Sequence, residues 1–152
     1  MWTFLLAAGL LAPVARLDAQ SNGESAQRST RMGVYTREQW TRGRDVYAGM
    51  CAGCHPAVTH VGPVFTALWA GKRLSELFGF VRERMPKNDP GSLSDEDYVD
   101  AIAYLLRLNG MPVGARELPA DSLALTRIRI DSSLAAPPDA TPSPRPRARS
   151  RL

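Results

Sequence analysis

Apolar side chains recur at intervals of three and four residues in three stretches of the chain, which is the spacing of an amphipathic helix. The first stretch follows Thr36, which has capping-box spacing with Gln39, and runs directly into Cys51. Its apolar face includes Gly43, and a glycine within a helix costs about 1 kcal/mol relative to alanine. We therefore expect another helix to approach this one closely at Gly43.

The other two helices have recognisable ends. The second is expected at residues 75–84, ending before Met85-Pro86, because a residue that precedes proline avoids the helical region. The third follows Ser94, has acidic residues in its first turn, where the helix dipole favours them, and stops at Gly110. Its buried face is expected to contain Tyr98, Ile102, Leu105 and Leu106. The pattern predicts an all-α fold of three main helices.

The remaining segments divide the chain into one domain and its extensions. Residues 1–19 hold an almost uncharged apolar run that is short for a membrane span, which predicts an export signal peptide; an uncleaved N-terminal anchor is the alternative. Residues 20–34 are polar and lack periodicity, which predicts a flexible leader. Residues 35–130 are expected to form the domain, with 111–130 wrapped around it. The Pro- and Arg-rich residues 131–152 predict a disordered tail.

The net charge is small for a chain of this size. The 152 residues carry a formal charge of +4, part of which comes from the arginines of the tail. So mild a balance argues against nucleic acid as a partner. Arg145, Arg147, Arg149 and Arg151 are interpreted as part of a solvated end, with weak attachment to anionic lipid or an acidic partner as the alternative.

The most specific motif is Cys51-Ala52-Gly53-Cys54-His55, the pattern of covalent haem c attachment. Each thiol can add across one haem vinyl group, and the histidine is then delivered to the iron as its proximal ligand. Three other interpretations are weaker. A thioredoxin-like motif requires a βαβ surround that the pattern does not predict. A zinc site has only Cys51, Cys54, His55 and His60 to draw on, and a local disulfide requires an oxidising compartment.

Met85 is the candidate for the sixth iron ligand. It lies 30 residues beyond His55, in an irregular loop from which a thioether can reach the opposite side of a haem. Met111 is the competitor, because it follows the third helix in a second Met-Pro pair. Met50 adjoins the attachment helix, and His60 is only five residues from His55, so neither is expected to reach the distal side.

Two further residues are candidates for haem contact. The irregular segment that ends at Pro63 has free carbonyls, and ligating histidines usually donate their other ring N–H to such an acceptor. Phe65, Leu68 and Trp69 supply bulky apolar surface for a haem edge. The indole N–H of Trp69 can reach a propionate, although packing alone also explains this residue.

Residues 35–130 resemble a class I cytochrome c. The resemblance rests on CAGCH at 51–55, on Gly62-Pro63, on Met85-Pro86, and on Gly43 facing the third helix. It implies crossed N- and C-terminal helices around one covalent haem c, and a proximal histidine held by the Pro63 carbonyl. Residues 90–112 are similar to cytochrome subunits or domains that serve periplasmic dehydrogenases of the quinoprotein and sulfite type.

These observations predict a periplasmic electron carrier rather than an enzyme. It would accept electrons from a dehydrogenase, as a separate protein or as the cytochrome subunit of an oxidoreductase complex, and pass them to another cytochrome or a terminal oxidase. An alternative keeps the haem but opens the sixth position, as in a haem c enzyme or a gas sensor. A third hypothesis dispenses with the haem and describes a small secreted helical binding module with a local disulfide.

Overall fold

A computed structural model of the protein describes residues 28–132 and 134. The fold is mainly helical, as the hydrophobic pattern predicts, and only two short strands accompany the helices in this part of the chain. The elements are β1 (Arg28–Ser29), α1 (Arg37–Val46), α2 (Pro63–Trp69), α3 (Leu74–Arg84), α4 (Asp95–Leu108), α5 (Ser122–Leu125) and β2 (Ile128–Arg129). Residues Tyr47–Cys51 form a π-helical turn, and two 3₁₀ turns cover Thr30–Met32 and Ala57–His60. None of the helices described has the length and hydropathy of a membrane span.

The crossing of α1 and α4 forms the centre of the fold. Gly43 lies against the backbone of Asp100, so close that a Cβ atom at this position would overlap the Asp100 carbonyl oxygen. Further along the same interface, the rings of Tyr47 and Tyr104 pack with centroids 5.4 Å apart. The expected close approach at Gly43 is confirmed, because only a residue without a side chain lets the two backbones meet there.

Substitution of Gly43 with alanine is predicted to reduce the free energy of unfolding by about 3 kcal/mol, because the added methyl group forces α1 away from α4. Gly79→Ala is the matched control. Gly79 also lies within a helix, but the nearest atom to its added Cβ would be a Glu83 side-chain oxygen 4.0 Å away. This control should gain about 0.5 kcal/mol from helix propensity. Denaturant unfolding of both variants checks the prediction, which equal stability of the two would contradict.

An ion-pair network crosses the same helix pair. The Arg42 guanidinium donates from Nε to Asp100 at 2.7 Å and from Nη2 to Glu117 at 3.0 Å. The hydrogen bond from Arg42 lowers the pKa of Glu117. The Asp100 side chain on α4 is nearly buried. Arg42 supplies the positive charge that a buried carboxylate requires.

The predicted start of the first helix is correct, but its capping box is incomplete. Thr36 Oγ1 accepts a hydrogen bond from the Gln39 backbone N–H at 3.1 Å, as an N-cap should. The Gln39 side chain does not return to Thr36. It is buried and forms a reciprocal pair with the backbone of Leu118, donating to the carbonyl at 3.0 Å and accepting from the N–H at 2.7 Å. The hydrogen-bonding capacity of the buried Gln39 amide is therefore met by Leu118 and not by the backbone of Thr36.

The second and third predicted helices correspond to α3 and α4. Ser94 caps α4 by accepting from the Asp97 N–H at 3.1 Å, and Gly110 follows it with a φ of 77°. The helix α2 was not predicted, because the segment that ends at Pro63 was interpreted as irregular and the apolar residues after it only as a surface for a haem edge. Pro63 starts α2 at its first position, where proline loses no hydrogen bond.

The N-terminal boundary of the folded part differs from the prediction. Residues 28–34 were assigned to a flexible leader, yet β1 pairs in parallel with β2 and Val34 is fully buried. The two strands are far apart in the sequence, so their pairing could not be predicted from local patterns. Residues 111–130 wrap the body as expected and contribute α5 and β2. The predicted signal peptide, and the tail beyond residue 134, lie outside the described residues.

Candidate functional site

The CAGCH segment begins in the π-helical turn and continues as a tight turn. The Ala52 N–H donates to the Tyr47 carbonyl at 2.8 Å, and the His55 N–H donates to the Cys51 carbonyl at 2.9 Å. Cys51 is half-buried and Cys54 is exposed, and both are free thiols. Burial raises the pKa of the Cys51 thiol. The folded chain thus holds both sulfurs within one turn, as attachment to two vinyl groups requires.

His55 lies at the end of this turn. The Tyr47 hydroxyl donates to the His55 carbonyl at 2.9 Å, and burial raises the pKa of Tyr47, which keeps the hydroxyl protonated as a donor. The imidazole ring of His55 packs against that of His60, with centroids 5.0 Å apart. Burial, with the charge of His55 as a second cause, lowers the pKa of His60.

Asn109 is a residue of this region that the sequence interpretation missed. It follows α4, is fully buried, and its side-chain amide reaches the loop after His55. Nδ2 donates to the His60 carbonyl at 2.9 Å, while Oδ1 accepts from the Gly62 N–H at 2.9 Å. The sequence indicated only a helix stop here, through Gly110. A single asparagine outside the helical periodicity carried no further signal.

Pro63 follows the segment that Asn109 holds. It is exposed at the first position of α2, and Gly62 before it has a φ of 63°, which favours glycine. The hydrogen bonds among the described residues do not include one between His55 and Pro63. The role of the Pro63 carbonyl as acceptor for the proximal histidine stays a prediction.

Trp69 lies at the end of α2 beside an exposed apolar surface. Its ring meets the ring of Phe80 at a centroid distance of 5.5 Å, and Lys72 Nζ lies 4.9 Å from the same ring. Val64, Leu68 and Phe80 are between 42% and 52% exposed, an unusual density of apolar side chains in water. A planar apolar macrocycle suits such a surface, because it would cover side chains that otherwise contact solvent. The contact of Trp69 with a propionate stays a prediction.

Met85 terminates α3 in an extended conformation and is half-buried. Its carbonyl accepts a hydrogen bond from the hydroxyl of the buried Tyr98 at 2.7 Å. The backbone of Met85 is therefore anchored to α4 by Tyr98, and its position at a helix end frees the side chain from helical packing.

The competing methionines are placed differently. Met111 is fully buried, and its sulfur lies 3.4 Å from the Thr30 hydroxyl, which also lies 3.3 Å from Asp131 Oδ2. Met32 and Met50 are 65% and 48% exposed. A methionine packed completely in the core is a poorer candidate for an iron ligand than a half-buried one at a helix end. This arrangement favours Met85 over Met111.

The other interpretations of the cysteine motif find little support. Cys51 and Cys54 are not bonded to each other. Within residues 28–132, no group of three or more His, Cys, Asp or Glu side chains is arranged to hold a metal ion. The motif follows a helix rather than a strand, in contrast to a thioredoxin-like site.

Comparison with protein families agrees with this geometry. The family model for cytochrome c oxidase, cbb3-type, subunit III matches residues 38–105, a range that contains the CAGCH segment, Met85 and most of α4. No significant match was found among curated proteins or among solved structures. The helical fold, the attachment motif and the match over residues 38–105 agree, and together they support a class I cytochrome c domain, a family whose cofactor is covalently bound haem c.

Proposed function

We propose that the protein is a periplasmic one-electron carrier that accepts electrons from a dehydrogenase and passes them to another cytochrome or a terminal oxidase. Electron transfer through a bound haem is the role of the family. The observation that carries the narrower proposal is the placement of the methionines. Of the four among the described residues, Met85 alone is half-buried at a helix end, while Met111 is engaged in the core.

Each candidate residue then has a distinct task. Cys51 and Cys54 would hold the haem ring through thioether bonds, and His55 and Met85 would be the ligands of its iron. When bound, the haem supplies a metal centre that takes up and releases one electron. Trp69 and the exposed apolar side chains of α2 and α3 shield it from water, which limits the reorganisation of solvent around the iron.

The proposed ligand pair determines what the site does. A neutral thioether opposite an imidazole favours Fe(II) more than a second imidazole would, and raises the reduction potential. It also fills both axial positions. An iron with two protein ligands exchanges electrons readily but has no position for dioxygen or peroxide, which disfavours catalysis and gas sensing.

The surface near the attachment motif suits a transient partner. Cys54 is exposed, and Val58, in the 3₁₀ turn that follows it, is 66% exposed. Such a surface supports a small, partly apolar contact near the haem edge rather than strong electrostatic steering. A short-lived complex is what a mobile electron carrier requires.

Export is part of the proposal, because covalent haem attachment in bacteria takes place outside the cytoplasmic membrane. Residues 1–19 would be the cleaved signal peptide. An uncleaved N-terminal segment or the basic tail would be the means of any contact with a membrane.

The carrier function is tested by carbon monoxide and by redox titration of the purified full-length protein. The ferrous protein is expected to show no change of its absorption spectrum under carbon monoxide at neutral pH, and to titrate as a single one-electron couple. Formation of a stable carbon monoxide complex by the untreated protein would contradict the proposal and favour the alternative of a haem c enzyme or sensor.

A further inference from the structure

The segment between His55 and Pro63 is held at both ends by side chains from the crossed helices. At its start, the hydroxyl of Tyr47, the residue directly after α1, donates to the His55 carbonyl. At its end, the Asn109 amide, which directly follows α4, binds the backbone of His60 and Gly62. The loop that contains the candidate proximal ligand is therefore fixed to the centre of the fold, in addition to local hydrogen bonds such as that from the Thr59 N–H to the Pro56 carbonyl at 2.9 Å.

The Asn109 side-chain amide makes three hydrogen bonds. Nδ2 donates to two carbonyls, that of His60 at 2.9 Å and that of Leu105 at 2.8 Å, and Oδ1 accepts from the Gly62 N–H at 2.9 Å. The hydrogen bond to Leu105 fixes the side chain to α4, and the hydrogen bonds with His60 and Gly62 fix the loop to that side chain. A rotated amide would place a donor against an N–H and an acceptor against two carbonyls, so only one orientation satisfies all three groups.

One of these hydrogen bonds involves Gly62, whose backbone conformation is unusual. Gly62 has a φ of 63° and a ψ of −131°, a conformation available to glycine and rare for other residues. Its N–H is directed to Asn109, and the next residue is Pro63. The Gly62-Pro63 unit is therefore held by a buried side chain on another element, together with the hydrogen bond from the Thr66 N–H to the Gly62 carbonyl at 3.0 Å.

We propose that Asn109 is a positioning residue for the proximal histidine and thereby raises the affinity of the site for Fe(III). This inference rests on the proposed roles of His55 as an iron ligand and of the Pro63 carbonyl as the acceptor for its second ring N–H. By holding Gly62, Asn109 would keep the adjacent Pro63 carbonyl in place for that hydrogen bond. Such a hydrogen bond makes the imidazole a stronger ligand and fixes its rotation about the iron bond.

Loss of the Asn109 hydrogen bonds should change the reduction potential. The Pro63 carbonyl would then no longer accept from the histidine, and the imidazole would become a weaker electron donor to the iron. Fe(III) would lose more stabilisation than Fe(II). We expect the ferrous form to be favoured by about tenfold, which for a one-electron couple is a rise of the reduction potential of about 59 mV. A purely structural role for a buried asparagine would lower stability without changing the potential.

Gln39 provides the matched control. It is also a buried amide that holds a distant loop, through its reciprocal pair with Leu118, but no bond of this pair reaches residues 55–63. Gln39→Leu and Asn109→Leu remove comparable hydrogen bonds from comparable surroundings. Asn109→Ala is the second variant, which removes the same three hydrogen bonds without adding a charge or a bulkier apolar group.

The experiment compares the haem-loaded full-length proteins at pH 7 by redox titration, by proton NMR of the ferric haem methyl groups and by thermal unfolding. The haem methyl shifts report the rotation of the axial imidazole. We expect both Asn109 variants to raise the potential and to change the methyl shift pattern. Gln39→Leu should lower the unfolding temperature and leave the potential and the pattern unchanged.

Three outcomes would overturn the inference. One is an Asn109 variant with reduced stability but an unchanged potential and methyl pattern. Another is an equal change in Gln39→Leu. The third is failure of both Asn109 variants to accumulate with haem, which would make Asn109 a requirement of folding. Failure of the underlying proposal is recognised separately, because the unsubstituted protein would then lack the spectrum of a His/Met-ligated haem.

Discussion

Replacement of both Cys51 and Cys54 with alanine is expected to abolish covalent haem retention completely. The thioether bonds are the only covalent links in the proposed site, and the two cysteines are the only ones in the chain. Denaturation of the unsubstituted protein should leave the haem on the polypeptide, where it is detected by haem staining after denaturing electrophoresis. The doubly substituted protein should show no stained band.

Single substitutions sharpen this prediction. Cys51→Ala and Cys54→Ala should each shift the ferrous absorption maxima to longer wavelength, because one vinyl group then stays conjugated with the ring. Met85→Ala is the control, since it should keep the covalent haem through denaturation. Staining of the doubly substituted protein at the level of the unsubstituted one would contradict attachment at residues 51–55.

Met85→Ala is expected to convert the closed site into one that binds carbon monoxide. With the thioether removed, the sixth position of the iron becomes available to solvent and to small ligands, and the reduction potential falls because a neutral ligand that favours Fe(II) is lost. The weak far-red absorption band of the ferric protein should disappear. Absorption spectra before and after carbon monoxide addition, together with a redox titration, check these results.

Met111→Leu is the matched control for Met85→Ala. The volume of the buried side chain is nearly kept, and the loss of the weak hydrogen bond from Thr30 should cost less than about 1.5 kcal/mol of unfolding free energy. The far-red band should remain and carbon monoxide should not bind. The opposite result, in which Met111→Leu loses the band and Met85→Ala keeps it, would assign the sixth ligand to Met111.

The three main helices and the approach at Gly43 were predictable because local signals agreed with the tertiary contacts. Thr36 and Ser94 both cap helices as their spacing indicates, and the glycine on the apolar face of α1 lies against the α4 backbone. Where a local pattern determines a structure, the sequence alone is enough. The CAGCH motif is of this kind, because its chemistry requires only five adjacent residues.

The parts that were not predicted depend on distant partners. The pairing of β1 with β2 joins segments about a hundred residues apart, so residues 28–34 appeared to be a polar leader. Asn109 and Gln39 act through backbone groups of loops, and such acceptors have no side-chain signature in the sequence. The proposal of Met85 over Met111 was made from sequence position alone, and the fold adds the different burial of the two side chains, half-buried for Met85 and complete for Met111.

The central claim is that His55 and Met85 hold the iron of a covalent haem. The absorption spectrum of the purified full-length protein, oxidised and then reduced, tests it most directly. We predict sharp ferrous bands of the c type and, in the ferric protein, the weak far-red band of a methionine-to-iron bond. Haem bands without the far-red feature would contradict ligation by Met85, and a colourless protein expressed with a working haem-attachment system would contradict the whole account.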